Sequence, residues 1–371
     1  MSHLSFHEFL TPANPYEISG DEGYEKGQIG YLLTHQNDFE SAGLVLLGCN
    51  EWRGTATRQK LHSANAIRQQ LYKLYHWHHD IQIADLGNII IGESLTDSYA
   101  ALKLVVKELL QLGKKIVIIG GSHDNTIALY QAFAERQQII EATVVDAMID
   151  IHHQHPEYSQ RFLIDMLTGE PNFVRHFNLI GFQSYFANPN MLETIDKLRF
   201  DCYRVGRVQE RMDEVEPAIR SSELFSVDLN ALAYAYAPGA AISPNGFTGQ
   251  EMCKLMQYAG MSQATAVAGI FNFCKKDTNQ ITALQVAQMI WYFMDGMQKQ
   301  LHEAPIHDLS GYNEYHTLTA EVDTLFLQSK NTGRWWMKMP NQTIIPCSHT
   351  DYLQASHNDL PERWLRTQER L

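Results

Sequence analysis

The sequence predicts an α/β protein: a three-layer α/β/α arrangement around a mostly parallel central sheet over residues 1–300, followed by a C-terminal extension at 301–371. Three observations carry this expectation. Apolar runs of strand length recur with little in/out alternation, as strands buried on both faces require. Segments with apolar residues at helical spacing separate them, an alternation that builds a parallel sheet covered by helices. Beyond about residue 300 that alternation stops, and strand-like runs flanking a turn replace it.

In chain order, GLVLLGCN (43–50) is a buried strand, and ANAIRQQLYKLY (64–75) has a helical stripe. IADLGNIII (83–91) precedes the helix YAALKLVVKELLQLG (99–113), which Gly113 closes. KKIVIIGG (114–121) is a strand and NTIALYQAFAER (125–136) a helix. Strands are expected at ATVVDAMID (142–150), FNLIGFQSY (177–185), DCYRVG (201–206), ELFSVDLNAL (223–232) and TAVAGIFNFC (265–274). Helices fall at MLETIDKLR (191–199), EMCKLMQYAG (251–260) and TALQVAQMIWYFMDGM (282–297). In the extension, residues 324–340 read as a hairpin around Asn331, Thr332 and Gly333, and ERWLRTQER (362–370) as a closing helix. Trp335 and Trp336 give the extension contact area, either for its own domain or for a neighbouring subunit in a homo-oligomer.

Composition narrows the function. Lys and Arg number 29 against 42 Asp and Glu, a formal charge of −13 with no basic stripe, which argues against nucleic acid as partner. Acidity of this size fits small cationic or metal-associated ligands. Cys49, Cys202, Cys253, Cys274 and Cys347 are scattered and form no CxxC pattern, so neither a disulfide framework nor a zinc ribbon is expected. The opening MSHLSFHEFLTPANPYEIS lacks the features of a signal peptide, and apolar runs such as IVII (116–119) are too short to span a bilayer. A cytoplasmic protein without membrane association is expected.

In parallel α/β sheets, ligands gather at the carboxyl ends of strands. His123 follows IVIIGG, Asp146 and Asp150 end ATVVDAMID, and Asp228 ends ELFSVD. Three strand ends would thus bring one imidazole and three carboxylates to one edge, a donor set suited to a hard or borderline ion such as manganese. A single Asp at a strand end is more often a cap or loop residue, and spacing alone leaves both readings open. His152, His153 and His155 follow closely, as an exposed polar loop or as a replacement ligand.

GGSHDN (120–125), DAMID (146–150), SVDLN (226–230), APG (237–239) and GFTGQE (246–251) resemble, in order, the motifs of the ureohydrolase (arginase-like) superfamily, with weaker echoes at LLGCNEWRG (46–54) and AIRQQL (66–71). The match is most similar to the formiminoglutamase (formimidoylglutamase) branch and spans most of residues 43–297. The resemblance implies an arginase-like fold and hydrolysis of guanidine or amidine groups with two manganese ions. By position, His123, Asp146, Asp150 and Asp228 match the ligands of the first ion. The private ligands of the second fall on Met148, where the family has His, and Asn230, where it has Asp; a further family Asp is Ala233 here. A thioether and a neutral amide are poor ligands for a hard ion. Three carboxylates around one divalent ion leave a single net negative charge, whereas a second ion would make the pocket positive. One Mn2+ rather than two is expected.

Glu251 matches the family residue that pairs with the substrate's cationic nitrogen, although an acid there also suits the first turn of a helix. The resemblance implies a hydrolase of linear amidine or guanidine C–N bonds that uses a metal-activated water, with Asp150 orienting that water and Glu251 holding a small cationic substrate. The alternative is a non-catalytic relative, or pseudoenzyme, that keeps at most one ion and acts in binding or assembly, motivated by Met148, Asn230 and Ala233. A mononuclear amide deacetylase is a third option.

Overall fold

The computed structural model of the chain describes residues 6–19, 23–56, 63–274, 277–319 and 322–370. The first five residues of the opening segment thus lie outside the described residues. Thirteen strands lie among the described residues. Nine form the central sheet: β1 (Leu10–Thr11), β2 (Leu44–Gly48), β3 (Ile83–Ile89), β4 (Lys115–Ile119), β5 (Ile140–Val145), β6 (Val174–Phe182), β7 (Asp201–Arg204), β8 (Leu224–Asp228) and β9 (Val267–Phe271). Four form a second sheet: β10 (Tyr312–Thr319), β11 (Val322–Ser329), β12 (Trp335–Lys338) and β13 (Ile344–Cys347).

The central sheet runs in the order β1-β3-β2-β4-β9-β8-β5-β6-β7. All its pairings are parallel except that of β1 with β3. The absence of alternation in the strands has a direct cause. Leu44, Leu46, Val117 and Ile119 face one core, with the helices Ser63–Leu71, Gly249–Gly260 and Ile281–Leu301. Val45, Leu47, Ile116 and Ile118 face the other, with Leu95–Gln111, Thr126–Glu135 and Phe162–Thr168. Both faces are covered, so Leu44–Leu47 of β2 and Ile116–Ile119 of β4 are apolar at every position.

The chain leaves β4 for β5 three places away and returns later to fill the gap with β8 and β9. That reversal is a topological switch point, and the carboxyl ends beside it form a crevice. Some limits differ from expectation. The helix from residue 63 ends at Leu71, and β5 ends at Val145, so the segment Asp146–Asp150 is a turn rather than strand. The helix expected from residue 99 begins at Leu95, where Ser94 and Asp97 form a capping box.

In the second sheet the expected hairpin joins β11 to β12, with Gly333 at φ +71° in its turn. The closing helix spans Glu362–Arg370. Trp335 and Trp336 are both buried. Within the chain Trp335 stacks on Tyr352 and His349, and Trp336 packs edge-on against Tyr312 and under the Arg220 guanidinium. Among the described residues no helix is long and apolar enough to cross a membrane.

Candidate metal centre

The site is assembled by three tight turns. After β4, Gly120 and Gly121 take φ of +86° and +79°, a region that disfavours side chains. A Cβ on Gly120 would also meet the Cys49 carbonyl oxygen at 2.7 Å. The Glu51 carbonyl accepts from the Ser122 backbone N–H (2.9 Å) and from Asn125 Nδ2 (3.1 Å), which fixes the 3₁₀ turn that carries His123. After β5, Asp146 Oδ1 accepts the Met148 backbone N–H at 2.8 Å. After β8, Asp228 Oδ1 accepts the Asn230 N–H at 2.8 Å. Each aspartate thus turns the chain back on itself and holds its own rotamer.

These turns bring the four predicted ligands together. His123 Nδ1 lies 3.1 Å from Asp146 Oδ2 and 3.4 Å from both Asp150 Oδ2 and Asp228 Oδ2. All four side chains are at most 4% exposed. His123 Nε2 lies 3.2 Å from Ser226 Oγ, which in turn pairs with Thr126 Oγ1 at 2.7 Å. A Nε2–H that donates to Ser226 leaves the lone pair of Nδ1 facing the carboxylates, the usual support of a metal-binding histidine. Phe162 and Phe271 pack against the ring and keep the pocket dry.

The donor set fits a divalent ion. His123 Nδ1 and Asp146 Oδ2 are buried, yet neither has an aligned hydrogen-bond partner among the described residues. They stand close without pointing at each other. Two donors that each sit about 2.1 Å from an ion at right angles are roughly 3 Å apart, so a shared ion accounts for the spacing. His123, Asp146 and Asp228 offer donor atoms within 4.8 Å of one another, the one such group among the described residues. Nitrogen and carboxylate donors fit manganese or a similar ion.

Crowding of like charge marks the metal-free electrostatics. Burial, reinforced by the charge of Asp146, raises Asp228 from the ordinary 3.8 to about 7. Burial and the same neighbour hold Asp150 well above the usual carboxylate range. For His123, burial opposes a charge on the ring, but the surrounding carboxylates outweigh it and its proton is held far more tightly than usual.

The remaining candidates are placed differently. Asn230 is buried, and its Oδ1 accepts the Ala147 backbone N–H at 3.1 Å, so its amide oxygen braces the β5 turn. Met148 is half-buried, and Ala233 contributes a backbone bond to Phe247. Glu251 is not among the grouped donor atoms of His123, Asp146 and Asp228. Its Oε2 accepts from the Thr248 N–H at 2.8 Å and from Gln209 Nε2 at 3.1 Å in a capping box of the helix Gly249–Gly260, the alternative role expected of it. His152 and His155 face each other with ring centres 5.8 Å apart, and His153 is exposed; none of the three joins the cluster.

Two contributors are absent from the expectations. Gln183, just past β6, donates its N–H to the Ala147 carbonyl at 2.9 Å and is held by Tyr185 at an exposed aromatic lip. Asn272, the first residue past β9, donates from Nδ2 to Asp228 Oδ2. A polar residue at the carboxyl end of an apolar strand is the only sequence signal that either offers.

Comparison with known proteins follows the same lines. The family model described as "Arginase family" matches residues 43–295. The chain is 26% identical over 226 residues to the formimidoylglutamase of Lysinibacillus sphaericus, covering 57% of this chain and 70% of that protein. It is 24% identical over 310 residues to the formimidoylglutamase of Vibrio cholerae, covering 74% and 88%. In structure it is similar to Trypanosoma cruzi formiminoglutamase with Mn2+, with a TM-score of 0.67, 17% identity and coverage of 74% and 99% of the two chains. Formimidoylglutamase from Bacillus subtilis gives a TM-score of 0.61 at 17% identity, covering 69% and 87%.

Proposed function

The chain belongs to the arginase family, and from that premise we propose that it is a metal-dependent hydrolase of a C–N bond in a linear amidine of the formiminoglutamate type. One manganese ion would be held by His123, Asp146, Asp150 and Asp228. The observation that carries this reading is the buried pair His123 Nδ1 and Asp146 Oδ2, which stand 3.1 Å apart without an aligned hydrogen bond, beside two further carboxylates. Support for a single ion comes from the private ligands a second would need: those positions carry Met148, a thioether, and Asn230, a neutral amide whose Oδ1 accepts the Ala147 N–H.

When bound, the ion supplies a water acidic enough to be deprotonated near neutral pH. The rest falls to the chain. Asp150 Oδ2, at the edge of the cluster, is placed to orient a water and take its proton. The neutral His123 ring, held by Ser226, keeps its tautomer throughout. Glu251 is the group we assign to the cationic nitrogen of the substrate, and with Oε2 committed to the helix cap it would use Oε1. Water adds to the amidine carbon, the C–N bond breaks, and the proton passes to the leaving nitrogen. None of the five cysteines forms a disulfide, which fits a reducing compartment, and we place the protein in the cytoplasm.

The test combines manganese stoichiometry with turnover of formiminoglutamate, arginine, agmatine and an acetylated amine. One ion per chain and turnover of formiminoglutamate above the others is the expected result. Cleavage of the acetylated amine alone would indicate a deacetylase. The named relatives give the binding-only reading no support; it becomes the conclusion if no amidine is turned over at high enzyme concentration.

A further inference from the structure

In the central sheet β9 lies between β4 and β8, so its tip stands between the strand that delivers His123 and the strand that delivers Asp228. None of the four ligands comes from β9. What it places there is Asn272. We infer that Asn272 is a positioning residue that locks Asp228 as a ligand of one ion; the inference rests on the one-ion reading above.

The backbone of Asn272 has φ +70°, left-handed, where Asn is among the few residues other than Gly that are readily tolerated. Its N–H donates to the Gly121 carbonyl at 2.8 Å, which ties it to the turn that carries His123. From this anchored position Nδ2 donates to Asp228 Oδ2, the same oxygen that lies 3.4 Å from His123 Nδ1. Asp228 Oδ1 is already held by the Asn230 N–H. Two donors from opposite sides therefore fix the plane of this carboxylate. Oδ2 keeps a lone pair 3.4 Å from His123 Nδ1, and the carboxylate cannot rotate away from that position without breaking one of these bonds.

A neutral donor does this without altering the charge of the pocket. An acidic residue at position 272 would repel Asp228, and a lysine would compete with the ion. The restraint parallels that on Asp146, whose Oδ1 is held by Met148 N–H while Asn230 Oδ1 holds the same turn through Ala147. Asn272 thus links the tips of β4, β8 and β9 into one frame before any ion arrives.

Two variants test it. Asn272→Gly keeps the left-handed backbone accessible and removes only the amide. Asn272→Asp keeps the shape and replaces the donor with an acceptor. Manganese binding is read by titration calorimetry and by the electron paramagnetic resonance spectrum of the bound ion, neither of which needs turnover. Both variants are expected to weaken manganese binding about 10–100-fold, the usual effect of losing a partner of a ligand. Both should also change the zero-field splitting of the bound ion while its stoichiometry stays at one. Wild-type affinity in both variants would overturn the inference. So would weakening in Asn272→Gly alone, which would make the role one of packing, or two ions per wild-type chain. If the variants behave as expected but the wild type turns over no amidine, the hydrolase reading fails and the role of Asn272 stands.

Discussion

Glu251 has two candidate duties that one substitution separates. A Gln at the third helical position completes a capping box as well as Glu does, so Glu251→Gln should leave the melting temperature unchanged while removing the charge meant for the substrate. The loss of one charge-assisted hydrogen bond, about 1.5–3 kcal/mol, predicts a rise in KM of at least roughly tenfold on the amidine that proves to be the substrate. An unaltered KM would leave Glu251 a helix cap alone. At the damaged second site, an Asp at position 230 can accept the Ala147 N–H as Asn230 does and adds a charge; the double change Met148→His with Asn230→Asp should therefore bind a second manganese and raise the rate. Unchanged metal content would show that these two positions have been misassigned. The ligands themselves predict a pH dependence. Asp228, raised from 3.8 to about 7, contributes stability to the metal-free protein that is present at low pH and lost as pH rises through that window. Asp150 and His123 are shifted the same way. A divalent ion removes this penalty by displacing the protons. Manganese should hence raise the melting temperature more at pH 8 than at pH 5.5, and an equal gain at both would contradict a buried cluster of mutually repelling carboxylates.

At the scale of elements, the helix Ser63–Leu71 and strand β3 are joined by a buried ion pair. Arg68 donates from Nε and Nη2 to the two oxygens of Asp85 at 2.7 and 2.9 Å, and its other donors reach Asn65, Asn88 and the Gly87 carbonyl. Tyr72 adds its hydroxyl to Asp85 at 2.7 Å. Both charges are buried, so Asp85→Ala would strand a guanidinium in the core and should cost about 3–5 kcal/mol, measurable by denaturant unfolding. The same elements show what a sequence reveals. The strands of the central sheet and the longer helices over them are legible because two covered faces leave an uninterrupted apolar run and an amphipathic helix leaves a stripe, whereas β10, whose exposed positions are mostly polar, is not. The helices Phe162–Thr168, Val205–Glu210 and Glu216–Ser221 were not, since each has fewer than eight residues and shows barely two turns of its period. β1 was missed for the same reason, having only two residues. The end of β5 at Val145 is hidden in the sequence because Ala147 and Ile149 are as apolar as the strand before them, and only the hydrogen bond from the Met148 N–H to Asp146 Oδ1 reveals the turn. The four candidate ligands are legible as polar residues at strand ends. Asn272 was not, because its neighbours depend on a sheet order in which β9 is inserted between β4 and β8, and nothing local to TAVAGIFNFC states that order.

At the scale of the whole molecule, the second sheet docks at the end of the central sheet opposite the metal ligands. The cavity of about 890 Å³ between them is lined by Glu141, His176, Asp201 and Glu223, all at the amino ends of β5 to β8. We propose that residues 301–371 are an appended lobe, fastened mainly through Trp336. The Arg220 guanidinium lies 4.2 Å from its ring centre and that of Arg334 5.5 Å. Arg220 Nη2 also donates to the Trp335 and Cys347 carbonyls at 2.8 and 3.2 Å, Arg334 Nη1 to the Met261 carbonyl at 2.9 Å, and Glu216 and Glu303 balance the two charges. Trp336→Ala empties the centre of this joint, leaves two buried guanidinium faces without a partner and should cost about 3–5 kcal/mol. The loss belongs to the joint, so a protease should cut faster between Leu301 and Tyr312 in the variant than in the wild type. Manganese affinity should stay at the wild-type value, because the ligands sit at the other end of the sheet on strands the lobe does not touch there. A matching loss of manganese binding would instead mean that the lobe and the metal centre form one cooperative unit.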